Sequence, residues 1–416
     1  MNLAVISVAA LALAVIVSCV SPLNVGVLAV ALAWIVGVYI GGLPVNTVMG
    51  GFPSQLFLTL TGVTLLFALA QSNGTLERIT RHAVGICRGN LGLIPVMFFV
   101  LGAALSSMGP GNIATAALVA PLAMSTAVRS KIPLFLMAIM IGNGANAGAL
   151  SPFAPTGIIV NGLMARNQLP GLELQTYLYN LAAHALVAFS GYALFGGLKL
   201  FGQRDLASDD PALAADAADA GFTRRHWITI AVIASLILSV IFAQINVGMG
   251  AFLGAVILVL TRSADDGEAI KRMPWRVIVM VCGVTVLISL VERAQGIDLL
   301  VGLVAKVASA QTVTFIVAML TGVVSVYSST SGVVLPAFLP TIPGLVERLG
   351  GGDPLGIASA MMVGGHLVDL SPLSTIGALC IAALPAGADP RKLFNQLLAW
   401  GLSMTVIGAL ICWAMF

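Results

Sequence analysis

Four short segments gather hydroxyls, amides, glycine and proline inside otherwise apolar sequence. They are Ser106–Asn112 ("SSMGPGN"), Asn143–Thr156, Ser328–Gly332 ("SSTSG") and Gly364–Gly377. Asp369 is the only carboxylate in any of them. An ionisable group in such surroundings is a functional candidate by default, so Asp369 reads as a ligand for a cation or a proton, or as a helix cap. Asn112, Asn143 and Asn146 supply amides that coordinate Na+ through oxygen, donate to a carboxylate, or satisfy interrupted backbone. Hydroxyls at Ser106, Ser107, Ser151, Thr156, Ser328, Ser329, Thr330, Ser331, Ser374 and Thr375 are ligand candidates, although Ser and Thr also pack helices in membranes. Gly109, Pro110, Gly111 and Gly332 suit tight tips. His366 reads as a packed, hydrogen-bonded residue, while His82, His184 and His226 carry no signal. No catalytic residue and no cofactor is expected. HExxH, P-loop and Rossmann patterns are missing, and "SSTSG" lacks the first glycine of a nucleophile elbow, which places an intramembrane hydrolase built on Ser331 and His366 last among the readings.

These residues sit in a chain of 416 residues that is 59% hydrophobic and only 8% charged. Soluble domains carry about 25% charged residues, so the expected class is an all-α polytopic membrane protein in contact with lipid. A net charge of +3 is too small and too scattered for nucleic-acid binding. Cys19, Cys87, Cys282, Cys380 and Cys412 are too dispersed for a disulfide framework or a zinc site. The run Leu3–Val20 lacks a basic flank and a cleavage site, and is kept as a mature helix.

A spanning helix needs about 20 mostly apolar residues. Simple spans are expected at 3–20, 24–41, 55–71, 173–198, 227–244, 246–262, 277–291 and 394–415. Two regions, 91–127 and 312–345, read as re-entrant hairpins, and 132–165 and 356–386 as broken spanning helices. With both termini periplasmic, only Arg166, Arg293, Lys306 and Arg348 fall outside the cytoplasmic side, as the positive-inside rule asks.

The chain repeats itself. "LNVGVLAVALAWIVG" at Leu23 returns as "INVGMGAFLGAVILV" at Ile245, and "GVTLLFALAQSNG" at Gly62 as "GVTVLISLVERAQG" at Gly283. "SSMGPGN" at Ser106 pairs with "SSTSGVV" at Ser328, and "ALSPFAPTG" at Ala149 with "DLSPLSTIG" at Asp369. Residues 1–200 and 227–416 then form two repeats, each with five spanning helices, one of them broken, and one hairpin. An odd number of crossings inserts the second copy upside down. A polar Ala/Asp-rich linker, 201–226, joins the halves on the cytoplasmic side, and 74–89 and 293–309 read as interfacial amphipathic helices.

Irregular backbone at membrane depth is tolerated only where it is buried or lines a cavity, so the four segments should converge on one site. Free N–H groups at helix starts attract anions and free C=O groups at helix ends attract cations. Every Lys and Arg falls in a loop, arm or helix end, so no fixed cation is expected beside a bound carboxylate. The anion is expected at Asn112, Ser151, Thr156, Ser329, Thr330, Ser331, Gly332, Ser374 and Thr375.

On these strings the chain resembles the MatC-type malonate/dicarboxylate carriers, in the ion-transporter superfamily that also contains the divalent-anion/sodium symporters. The likeness is densest in "GVTLLFALAQSNGTLE", "SSMGPGNIATAALVAPLA" and "GNGANAGALSPFAPTGIIV", within the first ~165 residues. The symporters' tip triplet Ser-Asn-Thr falls here on Gly111-Asn112-Ile113 and Thr330-Ser331-Gly332, so only Asn112 keeps its residue. The resemblance implies a homodimer, an elevator movement and Na+ as coupling ion, bound at Ser107, Gly111, Asn112, Asn143 and Asn146, with Ser328 and Asp369 near a second cation. It implies import of a malonate- or succinate-like di- or tricarboxylate across a bacterial inner membrane. The alternative is a proton-coupled carrier or exchanger, with aromatic acids among its substrates.

Overall fold

The computed structural model describes residues 2–21, 23–86, 90–203, 221–385 and 387–416, and all of their regular structure is helical. The first half runs through α1 (Leu3–Val20), α2 (Val25–Trp34, continued as a π-helix over Ile35–Ile40), the short α3 (Val45–Met49), α4 (Ser54–Ser72) and α5 (Thr75–Ile86). It continues with α6 (Leu93–Met108), α7 (Gly111–Arg129), α8 (Leu134–Ala147), α9 (Pro155–Arg166) and α10 (Glu173–Leu194). The second half follows the same order: α11 (Arg224–Ala243), α12 (Val247–Leu260), α13 (Asp266–Arg272), α14 (Trp275–Arg293), α15 (Gly296–Ala305) and α16 (Val313–Ser325). After a π-helical turn, Thr330–Val334, come α17 (Leu335–Phe338), α18 (Ile342–Arg348), α19 (Pro354–Val368), α20 (Thr375–Ala382) and α21 (Pro390–Met415). The expected linker falls largely on 204–220 and the end of the first amphipathic segment on 87–89, both outside the described residues.

The repeated strings make close helix crossings. A Cβ on Gly26 of α2 would stand 2.3 Å from the Val279 carbonyl oxygen of α14, and one on Gly283 would stand 2.2 Å from the Gly26 carbonyl oxygen. The counterpart crossing, α4 on α12, leaves 2.4 Å between a Cβ on Gly62 and the Gly248 carbonyl oxygen. Small residues at such points let backbones meet and gain dispersion contacts that lipid does not offer. Asn24 caps α2 through the Gly26 amide and donates from Nδ2 to the Arg276 carbonyl at 2.9 Å, while Asn246 caps α12.

The stretch of each expected hairpin is a helix–tip–helix unit, α6–α7 and α16–α18, and the stretch of each expected broken helix holds two helices, α8–α9 and α19–α20. α6 and α7 pack on α8, as α16 packs on α19. Close approach again uses small residues: Gly144 of α8 lies against the Phe99 backbone, and Gly364 of α19 against Ala318. The breaks are shorter than the polar segments. α8 continues through Asn143 and Asn146 to Ala147, and α19 through His366 to Val368, because the small residues there are buried against neighbouring helices and keep their helical hydrogen bonds. The second hairpin's return arm is divided into π, α and 3-10 turns where Pro336, Pro340 and Pro343 remove backbone donors.

Large apolar side chains face outward along α1, α2, α11, α12 and α21, among them Ile16, Val30, Leu238, Leu253 and Val406. A chain apolar both inside and outside is a multi-pass membrane protein. Ser54–Ser72, Gly111–Arg129, Trp275–Arg293, Thr330–Arg348 and Pro390–Met415 are long and apolar enough to cross a membrane by length and composition, so the return arms of both hairpins reach spanning length.

Candidate transport site

The first tip owes its shape to glycine. Gly109 and Gly111 take φ of 144° and 75°, and a Cβ on Gly111 would stand 2.8 Å from Pro155 Cδ, so the tip seats on the start of α9. Asn112 Nδ2 donates to Asn146 Oδ1 at 2.8 Å, which ties the tip to the last turn of α8. Asn146 Nδ2 in turn donates to the His366 carbonyl of α19 at 3.1 Å, and the Asn146 carbonyl accepts from Asn180 Nδ2 at 2.8 Å. Asn146 therefore joins the first tip, α8, α10 and the second broken helix. Where the two breaks cross, a Cβ on Gly142 would stand 2.8 Å from Leu370 Cγ.

Beside this node lies a cavity of about 260 Å³, just below the ~300 Å³ at which pockets for drug-sized ligands begin. Its polar lining brings together Asn112 and Thr156 with Ser331 of the second tip and Thr64 and Gln71 of α4; Gly111, Pro155 and Phe67 add the walls. Arg272 also lines it, carried by the last turn of α13. The expectation of a site without any basic side chain is corrected here. Arg272 does belong to a helix end, but α13 packs on α4 and brings that end to the cavity.

The other expected residues fall into two groups. Around the first tip, Ser107 Oγ donates to the Ala103 carbonyl at 2.6 Å and pairs with the Tyr177 hydroxyl at 2.9 Å, and Ser151 Oγ donates to the Ser107 carbonyl at 2.7 Å. Asn143 is fully buried, its Oδ1 2.9 Å from His184 Nδ1. Around the second tip, Asp369 Oδ1 accepts from Thr330 Oγ1 at 2.7 Å and Ser374 Oγ at 2.9 Å. Thr330 Oγ1 also lies 2.9 Å from Ser325 Oγ, and Ser329 Oγ accepts from the Gly332 amide at 3.2 Å. Asp369 thus stitches the second break to the second tip. Ser328 is buried at that tip and Thr375 is half-buried in the first turn of α20. Asp369, Ser151, Ser328, Ser329, Thr330, Gly332, Ser374 and Thr375 stand outside the cavity wall, and of the expected anion set Asn112, Thr156 and Ser331 line it.

Sequence reasoning passed over Thr64, Gln71, Arg272, Asn180 and His184. Thr64 and Gln71 lie seven residues apart, on one face of α4, within the repeated "GVTLLFALAQSNG" string. Their repeat counterparts Thr285 and Glu292, with Ile288 standing for Phe67, line a second cavity together with Arg166 and Asn167. That cavity is closed down to about 10 Å³.

Known proteins resemble the chain in two ways. Residues 1–149 match the family model of the dicarboxylate carrier protein MatC N-terminus. MtrF of Neisseria gonorrhoeae, from a structural study of a class of antimetabolite efflux pumps, superposes with a TM-score of 0.59 at 14% identity, covering 92% of this chain and 84% of its own. The YdaH transporter of Alcanivorax borkumensis superposes with a TM-score of 0.56 at 15% identity, covering 88% of this chain and 87% of its own. At such identities the likeness is one of fold. No curated protein matches the chain. Over residues 1–149 the chain is similar to the N-terminus of the dicarboxylate carrier protein MatC, and over most of its length it shares the fold of these two proteins.

Proposed function

We propose that the protein is a secondary active importer of a small di- or tricarboxylate, malonate- or succinate-like, driven by Na+ across a bacterial inner membrane. One observation carries this reading: the cavity of about 260 Å³ at Asn112, Thr156 and Ser331 has a repeat-related partner at Thr285 and Glu292 that is shut to about 10 Å³. Two like vestibules, one open and one closed, suit a carrier that exposes its site to one side at a time. The dicarboxylate is met by Asn112, Thr156, Ser331 and the tip backbone, with Arg272 at the mouth. Oxygen-rich surroundings at Ser107, Gly111, Asn112, Asn143 and Asn146, and at Ser328 and Asp369, suit Na+ rather than a softer metal.

The reading includes two inverted repeats, 1–200 and 227–416, periplasmic termini and a homodimer in which α6–α10 and α16–α21 move together as an elevator. Reciprocal packing of α2 on α14 and α12 on α4 supports it, because a two-fold relation between halves produces such exchanged pairs. Uptake of labelled malonate and succinate into proteoliposomes, with Na+, K+ or pH gradients imposed separately, tests the proposal. Na+-dependent uptake is the expected result, and uptake unchanged without Na+ removes the coupling claim. A proton-coupled carrier or exchanger is the second reading, favoured by two buried histidines with bare ring nitrogens.

A further inference from the structure

We propose that the closed vestibule is the entry site for the carboxylate, with Arg166 as its anion-binding group and Glu292 as the counter-charge that cargo displaces. The proposal deepens the carrier reading above and rests on it. α9 and α14 each line both cavities. On α9, Thr156 and Ile159 face the open one, and Leu163, Arg166 and Asn167 the closed one. On α14, Val277 faces the open one, and Thr285, Ile288 and Glu292 the closed one. Steps of whole turns keep each set on one side of its helix. At about 1.5 Å per residue, Arg166 stands about 15 Å along α9 from Thr156. The return arm of the second hairpin follows the same line, with Ser331 at the open cavity and Pro336 and Pro340 at the closed one. Its turn, Thr330–Val334, packs on both α9 and α14. One seam therefore joins the two cavities, with Arg272 at one end and Arg166 at the other.

The two ends differ in charge. Gln71 and Glu292 occupy equivalent places in the repeats and have side chains of the same shape, but only Glu292 is a carboxylate. The open cavity thus holds Arg272 with no carboxylate in its lining, while the closed one sets Arg166 against Glu292. Both side chains are exposed, and neither makes a hydrogen bond or ion pair with a described residue. The positive charges that act on the Glu292 carboxylate are those of Arg166 and Arg293. Arg293 lines a separate cleft with Thr47 and Ser289, which leaves Arg166 as the cation of this vestibule.

A guanidinium receives a carboxylate through two parallel N–H donors. Beside it, Asn167 Nδ2 gives one hydrogen to the Leu163 carbonyl at 2.9 Å and keeps the second for an anion. While the vestibule is shut, the opposite charges on α9 and α14 attract across it. An arriving carboxylate takes the place of Glu292 at Arg166 and relieves that attraction, so the mouth opens to cargo in preference to water. Exposed charge pairs add little to the stability of a fold, so the pair acts on occupancy and KM. The orientation proposed above turns this vestibule to the periplasm, where an importer meets its cargo.

The full chain, oriented in proteoliposomes and given malonate from either side at saturating Na+, tests the assignment. Arg166→Gln should raise KM at least fivefold for malonate on the Arg166 side and leave KM on the Arg272 side within twofold. Glu292→Gln should lower the first KM at least threefold, and should bring no gain when combined with Arg166→Gln. KM in Arg166→Gln unchanged, or raised equally on both sides, overturns the entry site and leaves the carboxylate reading standing; so does a gain from Glu292→Gln that survives the loss of Arg166. A second measurement needs no transport. Asn167→Cys is reacted with an anionic and a cationic methanethiosulfonate of similar size, with wild type as the background. The ratio of anionic to cationic rate should fall at least threefold when Arg166→Gln is added and rise at least threefold with Glu292→Gln. A ratio unchanged by either substitution overturns the site. Wild type that takes up no malonate, with both ratios shifting as expected, defeats the identity of the cargo alone.

Discussion

Asn112 donates to Asn146 Oδ1 across 2.8 Å, and this bond joins a hairpin tip that lines the cavity to a helix end that does not. The tip amide has one N–H committed to Asn146, so its oxygen and second hydrogen are what it offers to cargo or cation. Asn112→Ala removes both the contact and the tie, and uptake should fall at least tenfold. Asn112→Asp keeps the size but replaces the donor with a charge repelling the carboxylate, and should do no better. Initial uptake rates in proteoliposomes decide it, and rates near wild type for either variant would remove Asn112 from the site.

Arg272 provides a prediction of another kind. It is exposed at the mouth, where a charge acts on encounter more than on the bound state. Arg272→Gln should raise KM for a dicarboxylate about three- to tenfold at low ionic strength, with Vmax within twofold of wild type. The difference should shrink above about 0.3 M salt, where screening acts within a few ångströms. Arg272→Lys should recover most of the loss.

Asp369 tests whether the second break serves an ion or only the fold. Asp369→Asn retains an oxygen for the Thr330 and Ser374 hydroxyls but deletes the charge. The Na+ concentration for half-maximal uptake should rise at least tenfold while the ranking of carboxylate substrates stays the same. Wild-type Na+ dependence in this variant assigns Asp369 to stitching the break alone.

Gly62 gives a stability prediction. Its Cβ would meet the Gly248 carbonyl oxygen at 2.4 Å, backbone against backbone, where neither side can give way without moving a helix. Gly62→Val should cost about 1–3 kcal/mol, as overpacking does, and lower the thermal midpoint of the detergent-solubilised protein. Gly162→Ala is the control, since its Cβ finds its first neighbour only at 4.0 Å. It should leave the midpoint unchanged or slightly raised.

The helix ends at the two tips and the two breaks were legible because membrane spans tolerate "SSMGPGN" or "ALSPFAPTG" only where the helix stops, and that constraint is local. Three things were not. The six-residue π-turn at Ile35–Ile40 leaves no mark on an apolar string. α13 falls between the expected spans 246–262 and 277–291, although Asp265 caps it and acidic residues precede basic ones along it, and it is the element that brings Arg272 to the mouth of the cavity. The role of Asn180 and His184 depends on which way α10 faces, and only packing against α8 and α19 settles that.

Two crossings at glycine take one helix from either half: Gly26 with Gly283, and Gly62 with Gly248. Neither half owns a complete set of neighbours, so a chain halted after α10 holds α2 and α4 in lipid with their tightest contacts missing. Assembly of α2 and α4 in the bilayer therefore waits for α12 and α14 of the second half, and the two halves produced as separate polypeptides should recover a working carrier only when they meet in the same membrane.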